Sequence, residues 1–296
     1  GGTEPTVTDA NLVAGHIPVD LALGGSVRLD VELAQAAIAR LGAAAGLDPA
    51  ATAEGMLEVV DSHMEHALRA VSVEEGADPR EAALVAFGGA GGLHATRLAR
   101  RLGMHTVLVP PHSGVFSALG LLLAAPRSDV ARTLMTAEGE DDLAADRHEL
   151  ETTVFARYRE TFGHEPSVVT TGADVRYLGQ SHELEVPTDA GWAELRVAFE
   201  ERHRGHFGFE RVGEPIELVN LRSVATGRAP MAWSDLPPVG GGREPQGRDG
   251  VWRRETLPIG FTLRGPAIVV EANSAVLLEP DDRLTVLEDG TLEIAT

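Results

Sequence analysis

A run of glycines directly after an apolar stretch is the feature that most constrains the fold of this chain. Residues 83–87 are apolar, four glycines occur within the next five positions, and a helical pattern of apolar residues begins at Leu93. This pattern predicts a fully buried strand, a glycine turn and a helix. Because glycine lacks a Cβ atom, the turn can approach a ligand closely, and the N–H groups and positive dipole end of the helix face that ligand. We therefore expect an anionic or nucleotide ligand. The four glycines are Gly88, Gly89, Gly91 and Gly92.

A purely structural turn is the alternative, because many α/β proteins pass from strand to helix through one or two glycines. The dinucleotide fingerprint can be tested and fails, since His94 stands where the third glycine is required. The next predicted strand, Thr106–Val109, runs into Pro110 and Pro111 without an acidic residue for a ribose hydroxyl. The sequence therefore argues against NAD.

Composition excludes several function classes. The formal net charge of -20 argues against nucleic acid and membrane surfaces as partners, because both are polyanionic. All 25 basic residues are Arg, which removes P-loop lysines, kinase-type lysines and Schiff bases. The absence of Cys removes thiol nucleophiles, thiolate zinc sites and disulfides. With no long apolar run and no signal-peptide pattern, a cytoplasmic protein is expected.

Periodicity and turn residues predict four segments along the chain. Residues 1–135 are predicted to form the lobe that contains the glycine turn, and residues 136–228 a smaller α+β module. Residues 229–260 carry Pro, Gly and charge with little periodicity, which favours a linker. Residues 261–296 alternate short apolar runs with turns, which indicates a compact antiparallel β unit.

A second strand and helix follow the glycine turn within the first lobe. The strand is predicted at Thr106–Val109 and the helix at residues 115–124. Two successive strand–helix units with short connections imply parallel strands with a right-handed crossover. Since ligands bind beyond the carboxyl ends of such strands, we expect the glycine turn and the turn at residues 110–114 to lie together.

The longest predicted helix begins at Asp48 and Pro49, with proline at the first helical position. On this helix His63 and His66 are three residues apart. A metal site would need a further histidine or carboxylate with them, so packing and surface positions are the favoured interpretation. The predicted buried stripe consists of Met56, Val60, His63, Ala67 and Val71.

Several blocks of the sequence resemble one known family. The segment from Phe87 to Ala95 resembles the glycine signature of the hydantoinase A/5-oxoprolinase family. Because the blocks follow the family order over nearly the whole chain, the resemblance is more specific than one glycine turn. The other blocks are residues 4–12, 110–120, 176–181, 217–222 and 265–268.

The resemblance implies an ATP-dependent enzyme with the α/β fold of actin/Hsp70/sugar-kinase (ribonuclease H-like) proteins, in which two lobes close on a nucleotide. Members of this family hydrolyse cyclic amides such as N-methylhydantoin or 5-oxoproline, and relatives carboxylate ketones such as acetone. ATP is implied to phosphorylate the carbonyl or enol oxygen of the substrate. The absence of Lys agrees with a fold that positions phosphates through backbone turns, Mg²⁺ and carboxylates.

The resemblance also implies roles for individual residues. The four glycines would hold the nucleotide. His94 is the candidate catalytic residue that reaches a phosphate or the substrate, with a packing or capping role as the alternative. Asp9 is the candidate for the facing wall of the cleft, acting through Mg²⁺-bound water, with helix capping as the alternative. No side chain is assigned as a direct metal ligand.

Two departures from the family pattern bear on these expectations. The family often has Pro at the position of Gly92, although glycine can adopt the same geometry. The amino-terminal lobe of the family, with its Asp-containing phosphate turn, is missing from these residues. Gly1 to Thr3 fall just before a block that lies midway along a family member. The chain is therefore expected to be the carboxyl half of an A subunit, working with the missing lobe and a B-type subunit.

Three other functions stay open at this point. One is a subunit of an ATP-dependent ketone carboxylase, and another is a nucleotide-responsive module that holds a catalytic partner without doing chemistry. The third is a sugar-type kinase in which an Asp acts as general base. The sequence does not distinguish which cyclic amide or ketone would be the substrate.

Overall fold

The computed structural model describes residues 2–23, 26–140, 142–188, 191–237, 239 and 244–296. These residues form a mixed α/β protein, so the fold class expected from the sequence is confirmed. The chain divides into two compact units. The first combines Gly1–Leu121 with Leu236–Thr296, and the second is Leu122–Asp235.

The described helices and strands are numbered in chain order. No helix among the described residues is both long enough and apolar enough to cross a membrane. The α-helices are α1 (Val7–Val13), α2 (Val31–Ala43), α3 (Pro49–Ala70), α4 (Gly91–Leu102), α5 (Phe116–Leu123), α6 (Leu143–Phe162) and α7 (Trp192–Phe207). The strands are β1 (Ala22–Leu23), β2 (Val27–Arg28), β3 (Leu84–Val85), β4 (Thr106–Val109), β5 (Arg127–Ala137), β6 (Val168–Tyr177), β7 (Leu184–Pro187), β8 (Ile216–Thr226), β9 (Gly247–Arg248), β10 (Val251–Arg253), β11 (Thr262–Arg264), β12 (Ala267–Glu271), β13 (Ser274–Leu278), β14 (Arg283–Val286) and β15 (Leu292–Ala295).

The five-stranded sheet of the first unit positions the glycine turn. Its strand order is β11-β14-β15-β4-β3. β3 and β4 are parallel, with Leu84 opposite Val107 and Val85 opposite Leu108, so the predicted parallel pair is confirmed. The other neighbours in this sheet are antiparallel. The glycine turn after β3 and the turn after β4 therefore lie at the same end of the sheet, beyond the carboxyl ends of these two strands.

β3 is shorter and more exposed than the sequence predicts. The strand spans Leu84–Val85 rather than five residues, and the Val85 side chain is 47 % exposed. The physical reason is its place in the sheet: β3 lies at the edge and pairs with β4 alone among the described strands. The prediction of a fully buried strand was therefore wrong.

The last strands of the chain belong to the unit that carries the glycine turn. β15 pairs antiparallel with β4, with Ile294 opposite Val107. Residues 261–296 therefore do not form the separate β unit that was expected. The hydrophobic faces of β14 and β15 are instead buried with α4 and β4 in one core. Residues 229–260, which were expected to be a linker, contain the strands β9 and β10. Residues 238 and 240–243 of that linker lie outside the described residues.

A second sheet of the first unit supports α4 from the other side. Its strand order is β13-β12-β10-β9, and α4 packs on β13. The apolar face of α4 supplies Ala95, Ala99 and Leu102 to the core, where they meet Val276 and Leu278 of β13. The helix that follows the glycine turn is therefore fixed between two sheets.

The buried stripe of α3 is shifted from the predicted one. Its buried residues are Thr52, Ala53, Leu57 and Asp61, whereas His63 and Ala67 are exposed. Ala53 and Leu57 pack with Ala10 and Ile38 in a small core of α1, α2 and α3. The sequence pattern gave the wrong phase because the true stripe continues through a carboxylate, Asp61, which an apolar pattern does not count.

The second unit is an antiparallel sheet with two helices. The strand order is β5-β8-β6-β7. α6 packs on β5, β6 and β8, and α7 packs on β7. The core includes the fully buried side chains Tyr177, Leu195 and Phe199. β5 crosses the boundary expected between residues 135 and 136 and belongs to this unit.

Candidate functional site

The glycine turn bends sharply between β3 and α4. Gly88 has a φ of 85°, a left-handed backbone conformation that side chains disfavour. Its N–H donates a hydrogen bond of 2.8 Å to the carbonyl oxygen of Ser113, in the turn after β4. The two turns that were expected to lie together are therefore joined directly.

Three of the four glycines border open space. A Cβ atom at Gly88 or Gly91 would meet no atom within 4 Å, and one at Gly89 would meet only the Asn273 carbonyl oxygen, at 3.4 Å. Gly92 differs, because its Cβ atom would lie 2.6 Å from the carbonyl oxygen of Ala275. Gly92 thus allows α4 to pack against β13, while the other three leave backbone accessible.

The start of α4 has backbone N–H groups that are free to bind a ligand. The N-cap residue, Ala90, makes no side-chain cap hydrogen bond. Within the described ranges, the structure shows no acceptor for the N–H groups of Gly89, Ala90 and Gly91. The positive end of the helix dipole adds to these donors, and this combination suits a phosphate or carboxylate.

His94 lies one turn into α4, and its side chain is held by α3. Its Nδ1 atom lies 2.7 Å from Oδ1 of Asp61, and the exposed fractions of the two side chains are 3 % and 0 %. Within the described part of the chain, His94 Nε2 and Asp61 Oδ2 have no hydrogen-bond partner. In this structure His94 is thus a buried residue of the α3–α4 contact, and Nε2 is its only ring nitrogen left to bind anything else.

Charged residues surround this pair. Arg97 Nη1 lies 4.0 Å from Asp61 Oδ2, and Arg97 Nε donates a 2.8 Å hydrogen bond to Glu279. His16 lies near Arg97, with its Nδ1 atom 3.1 Å from the Asn11 amide oxygen. Burial lowers the pKa of His16 and the Arg97 charge lowers it further, whereas Glu54 and Glu279 oppose the shift.

Asp61 is the residue that sequence reasoning missed. The available signal was its spacing, because Asp61 follows Ala53 and Leu57 at four-residue intervals and so shares their face of α3. A carboxylate on an apolar face needs a buried partner, since burying an unpaired charge is costly. That partner is His94, which the sequence did single out.

Asp9 lies in the first turn of α1. Its carboxylate accepts hydrogen bonds from the Thr6 N–H, at 2.8 Å, and from the Thr6 hydroxyl, at 2.7 Å. The Asp9 N–H donates to the Thr6 hydroxyl in return, which completes a capping box. The Asp9 carboxylate is therefore occupied by local contacts in this structure.

The remaining candidate groups occupy structural positions. His63 and His66 are both exposed on α3. No group of three or more His, Asp or Glu side chains in the described ranges is arranged to hold a metal ion. Arg176 of the second unit donates a 2.7 Å hydrogen bond to Glu217 on the neighbouring strand, β8. These residues therefore add no candidate site to the glycine turn.

Comparison with known proteins finds a matching family model and several similar sequences. The hydantoinase/oxoprolinase family model matches residues 1–130. An uncharacterized protein of Methanocaldococcus jannaschii is 34 % identical over 99 % of this chain, and the alignment covers 45 % of that protein. The caprolactamase subunit alpha of Pseudomonas jessenii is 31 % identical over 99 % of the chain and 47 % of its own length. The acetone carboxylase beta subunit of Xanthobacter autotrophicus is 25 % identical over 97 % of the chain and 45 % of its own length.

Two solved structures are also similar. The ATP-dependent caprolactamase of Pseudomonas jessenii superposes with a TM-score of 0.70 at 30 % identity, covering 100 % of this chain and 47 % of that one. A nucleotide-free acetone carboxylase superposes with a TM-score of 0.75 at 21 % identity, covering 98 % and 46 %, and shares the fold. The chain thus spans about half the length of the relatives it matches.

Proposed function

Because this chain belongs to the hydantoinase/oxoprolinase family, we propose that it is part of an ATP-dependent enzyme subunit that activates a cyclic amide for ring-opening hydrolysis. The similarity to caprolactamase supports this substrate class, because caprolactam is a cyclic amide. The single observation that carries the proposal is the glycine turn at the start of α4. Its backbone is open at Gly88 and Gly91, and it has free N–H donors at a positive helix end.

The chemistry requires activation because amide resonance makes the carbonyl carbon a poor electrophile. ATP would supply a phosphoryl group to the amide oxygen, releasing ADP. One water would then add to the carbon and the ring C–N bond would break, which leaves a free amine and an acyl phosphate. A second water would hydrolyse the acyl phosphate to the carboxylate and phosphate. The contribution of this chain would be to orient phosphate oxygens through the N–H groups of Gly89, Ala90 and Gly91, since phosphoryl transfer depends mainly on positioning and charge stabilisation.

The catalytic roles of His94 and Asp9 stay predictions. His94 can act on a ligand only through Nε2, because Nδ1 is bound to Asp61. Asp9 would first have to release the amide and hydroxyl of Thr6. Mg²⁺ also stays a prediction, because the described residues offer no cluster of ligands for a metal ion.

We propose further that the subunit needs both a second nucleotide-binding lobe and a separate B-type subunit. The first part rests on length, because the chain covers only 47 % of the caprolactamase alpha subunit. The second rests on the names of two relatives, the caprolactamase subunit alpha and the acetone carboxylase beta subunit. Substrate choice would then depend on residues beyond this chain.

The proposed function is tested with Gly91→Leu in the full-length protein that contains this chain. The new side chain starts in open space and meets no atom at Cβ, so the fold tolerates it while the phosphate position is blocked. We expect at least about a tenfold loss of cyclic-amide-dependent ADP release, the size of losing one good phosphate contact.

Gly55→Leu is the matched control, because Gly55 lies on α3 and its Cβ atom would also meet nothing within 4 Å. This variant should keep wild-type ADP release. Wild-type ADP release by Gly91→Leu would contradict the assignment of the glycine turn to ATP.

Ketone carboxylation is the second candidate, and the similarity to the acetone carboxylase beta subunit supports it. The two reactions give different products from the same activation step. A cyclic amide gives a ring-opened amino acid, whereas a ketone with bicarbonate gives a longer keto acid. Measuring ADP release with caprolactam, 5-oxoproline, hydantoin, and acetone plus bicarbonate separates them, because only the true substrate stimulates ATP use.

A further inference from the structure

Three turns of the first unit meet around the glycine turn. The first is the glycine turn itself, the second follows β4 at residues 110–114, and the third joins β12 to β13. Gly88 donates to the carbonyl of Ser113 in the second turn, at 2.8 Å. The N–H of Ala275, on β13 just after the third turn, donates a 3.4 Å hydrogen bond to the carbonyl oxygen of Gly89. A Cβ atom at Gly114 would lie 2.6 Å from the Asn273 carbonyl, so the second and third turns are in close contact as well.

Glu271, at the end of β12, joins these turns through its carboxylate. Its Oε1 atom accepts a 2.5 Å hydrogen bond from the Ser113 hydroxyl and a 3.3 Å hydrogen bond from the Gly114 N–H. Ser113 is fully buried, and the Glu271 side chain is 16 % exposed. Charge-assisted hydrogen bonds of this kind are shorter and stronger than neutral ones. The carboxylate therefore fixes the residue whose carbonyl receives the Gly88 N–H.

A buried cation holds the other side of this carboxylate. Arg254 is 2 % exposed, and its Nη1 atom lies 3.6 Å from Glu271 Oε2. Its Nη2 atom donates to the carbonyl of Val109, the last residue of β4, at 2.9 Å, and to that of Gly290, at 3.1 Å. Within the described residues Arg254 Nε and Nη1 have no hydrogen-bond partner. Burial lowers the pKa of Arg254 and Glu271 opposes that shift, so the guanidinium depends on this carboxylate for compensation.

We propose that Glu271, held by Arg254, is the positioning residue of the glycine turn. It acts through Ser113, whose backbone sets the conformation of Gly88, and it does not itself contact the ligand. This inference rests on the proposed function, since the ligand of the turn is taken to be ATP. It also assigns a functional role to the last sixty residues of the chain, because both Glu271 and Arg254 come from that part.

The test uses Glu271→Gln and Ser113→Ala, separately and together, in the full-length protein. Glu271→Gln removes the charge of the acceptor and Ser113→Ala removes the donor of the same hydrogen bond. We expect each to raise the KM for ATP about tenfold while kcat changes less than about twofold, as when one such hydrogen bond is lost in nucleotide binding. Because both changes act on the hydrogen bond between Ser113 and Glu271, the double variant should raise the KM by less than the product of the two single effects.

Two changes in the second unit serve as matched controls. Ser223→Ala removes the hydroxyl of a buried serine that is hydrogen bonded to Thr171, at 2.6 Å. Glu217→Gln removes the charge of a largely buried glutamate that is paired with Arg176. Both should leave the KM for ATP at its wild-type value. An unchanged KM in Ser113→Ala and Glu271→Gln, or strict additivity in the double variant, would overturn the proposal.

Hydrogen exchange keeps this test independent of the proposed function. In the absence of nucleotide, loss of positioning should increase amide exchange in a peptide covering residues 86–92 by about tenfold, whereas the two control variants should not change it. Unchanged exchange in both Ser113→Ala and Glu271→Gln would overturn the positioning role directly. Absence of ATP use by the wild-type protein, with increased exchange in those two variants, would instead refute only the ATP assignment.

Discussion

The Nδ1 atom of His94 lies 2.7 Å from Oδ1 of Asp61, and both side chains are buried between α3 and α4. This hydrogen bond joins two neighbouring helices and holds the ring of His94 through Nδ1.

Removing the carboxylate of Asp61 should destabilise the first unit. Asp61→Ala leaves the buried imidazole without a partner, and we expect the free energy of unfolding to fall by about 3 kcal/mol. Asp61→Asn keeps an acceptor for Nδ1 and should lose less. Glu58→Ala on the same helix is the control, because Glu58 is exposed, and it should change stability by less than about 0.5 kcal/mol. Chemical denaturation measures all three, and equal losses for Asp61→Ala and Glu58→Ala would contradict the importance of the pair.

The same substitution should destabilise the protein at Gly92 but have little effect at the adjacent Gly91. Gly92→Ala places a Cβ atom 2.6 Å from the Ala275 carbonyl oxygen and 2.9 Å from Val276 Cγ2. The contact forces α4 away from β13, so the free energy of unfolding should fall by about 1–3 kcal/mol. Gly91→Ala meets no atom and should change it by less than about 0.5 kcal/mol. Thermal unfolding of the two variants side by side checks this, and a destabilised Gly91→Ala would show that the turn is more crowded than described.

The last strand should be essential to the unit that contains the glycine turn. Ile294 on β15 is fully buried and pairs with Val107 of β4. Ile294→Ala should lower the free energy of unfolding by about 2–5 kcal/mol through loss of burial and creation of a cavity. Glu293→Ala is the control, because Glu293 is exposed on the same strand, and it should have an effect below about 0.5 kcal/mol. Hydrogen exchange at residues 106–109 should rise in Ile294→Ala alone; unchanged exchange there would favour an independent C-terminal unit.

Stability should depend on pH through His16. Burial, with a contribution from Arg97, lowers the pKa of His16 below its usual value of 6.5. As the pH falls below 6.5, the unfolded chain therefore binds a proton that the folded chain binds only at lower pH, so the folded state loses stability. His16→Gln should reduce the decrease in melting temperature between about pH 7.5 and about pH 5.5. His63→Gln, on the exposed side of α3, is the control, and the same reduction in both variants would exclude His16 as the cause.

Local signals in the sequence predicted the local features of the site. The glycine run predicted the turn, and the short apolar run at residues 106–109 predicted β4 with its bounds. Both depend on interactions between neighbours in the chain, which residue type and spacing report directly. The residues of the turn could be named for the same reason.

Features that depend on distant pairing could not be predicted in this way. The apolar run at residues 292–294 indicated a strand, but nothing in its pattern identifies β4 as the partner. Glu271 and Arg254 are charged residues, for which solvent exposure is the ordinary expectation. Their burial follows from the meeting of three turns, which no single stretch encodes. Asp61 was overlooked because a search for apolar spacing skips the polar member of a buried face.

The position of β15 next to β4 has a consequence for the order of assembly on the ribosome. Residue 107 of β4 pairs with residue 294, which is translated roughly 190 residues later. The five-stranded sheet of the first unit therefore stays incomplete until β15 has been made. The second unit is continuous in sequence and can acquire its core in the meantime. The glycine turn therefore reaches its final environment only after nearly all of the chain described here has been made.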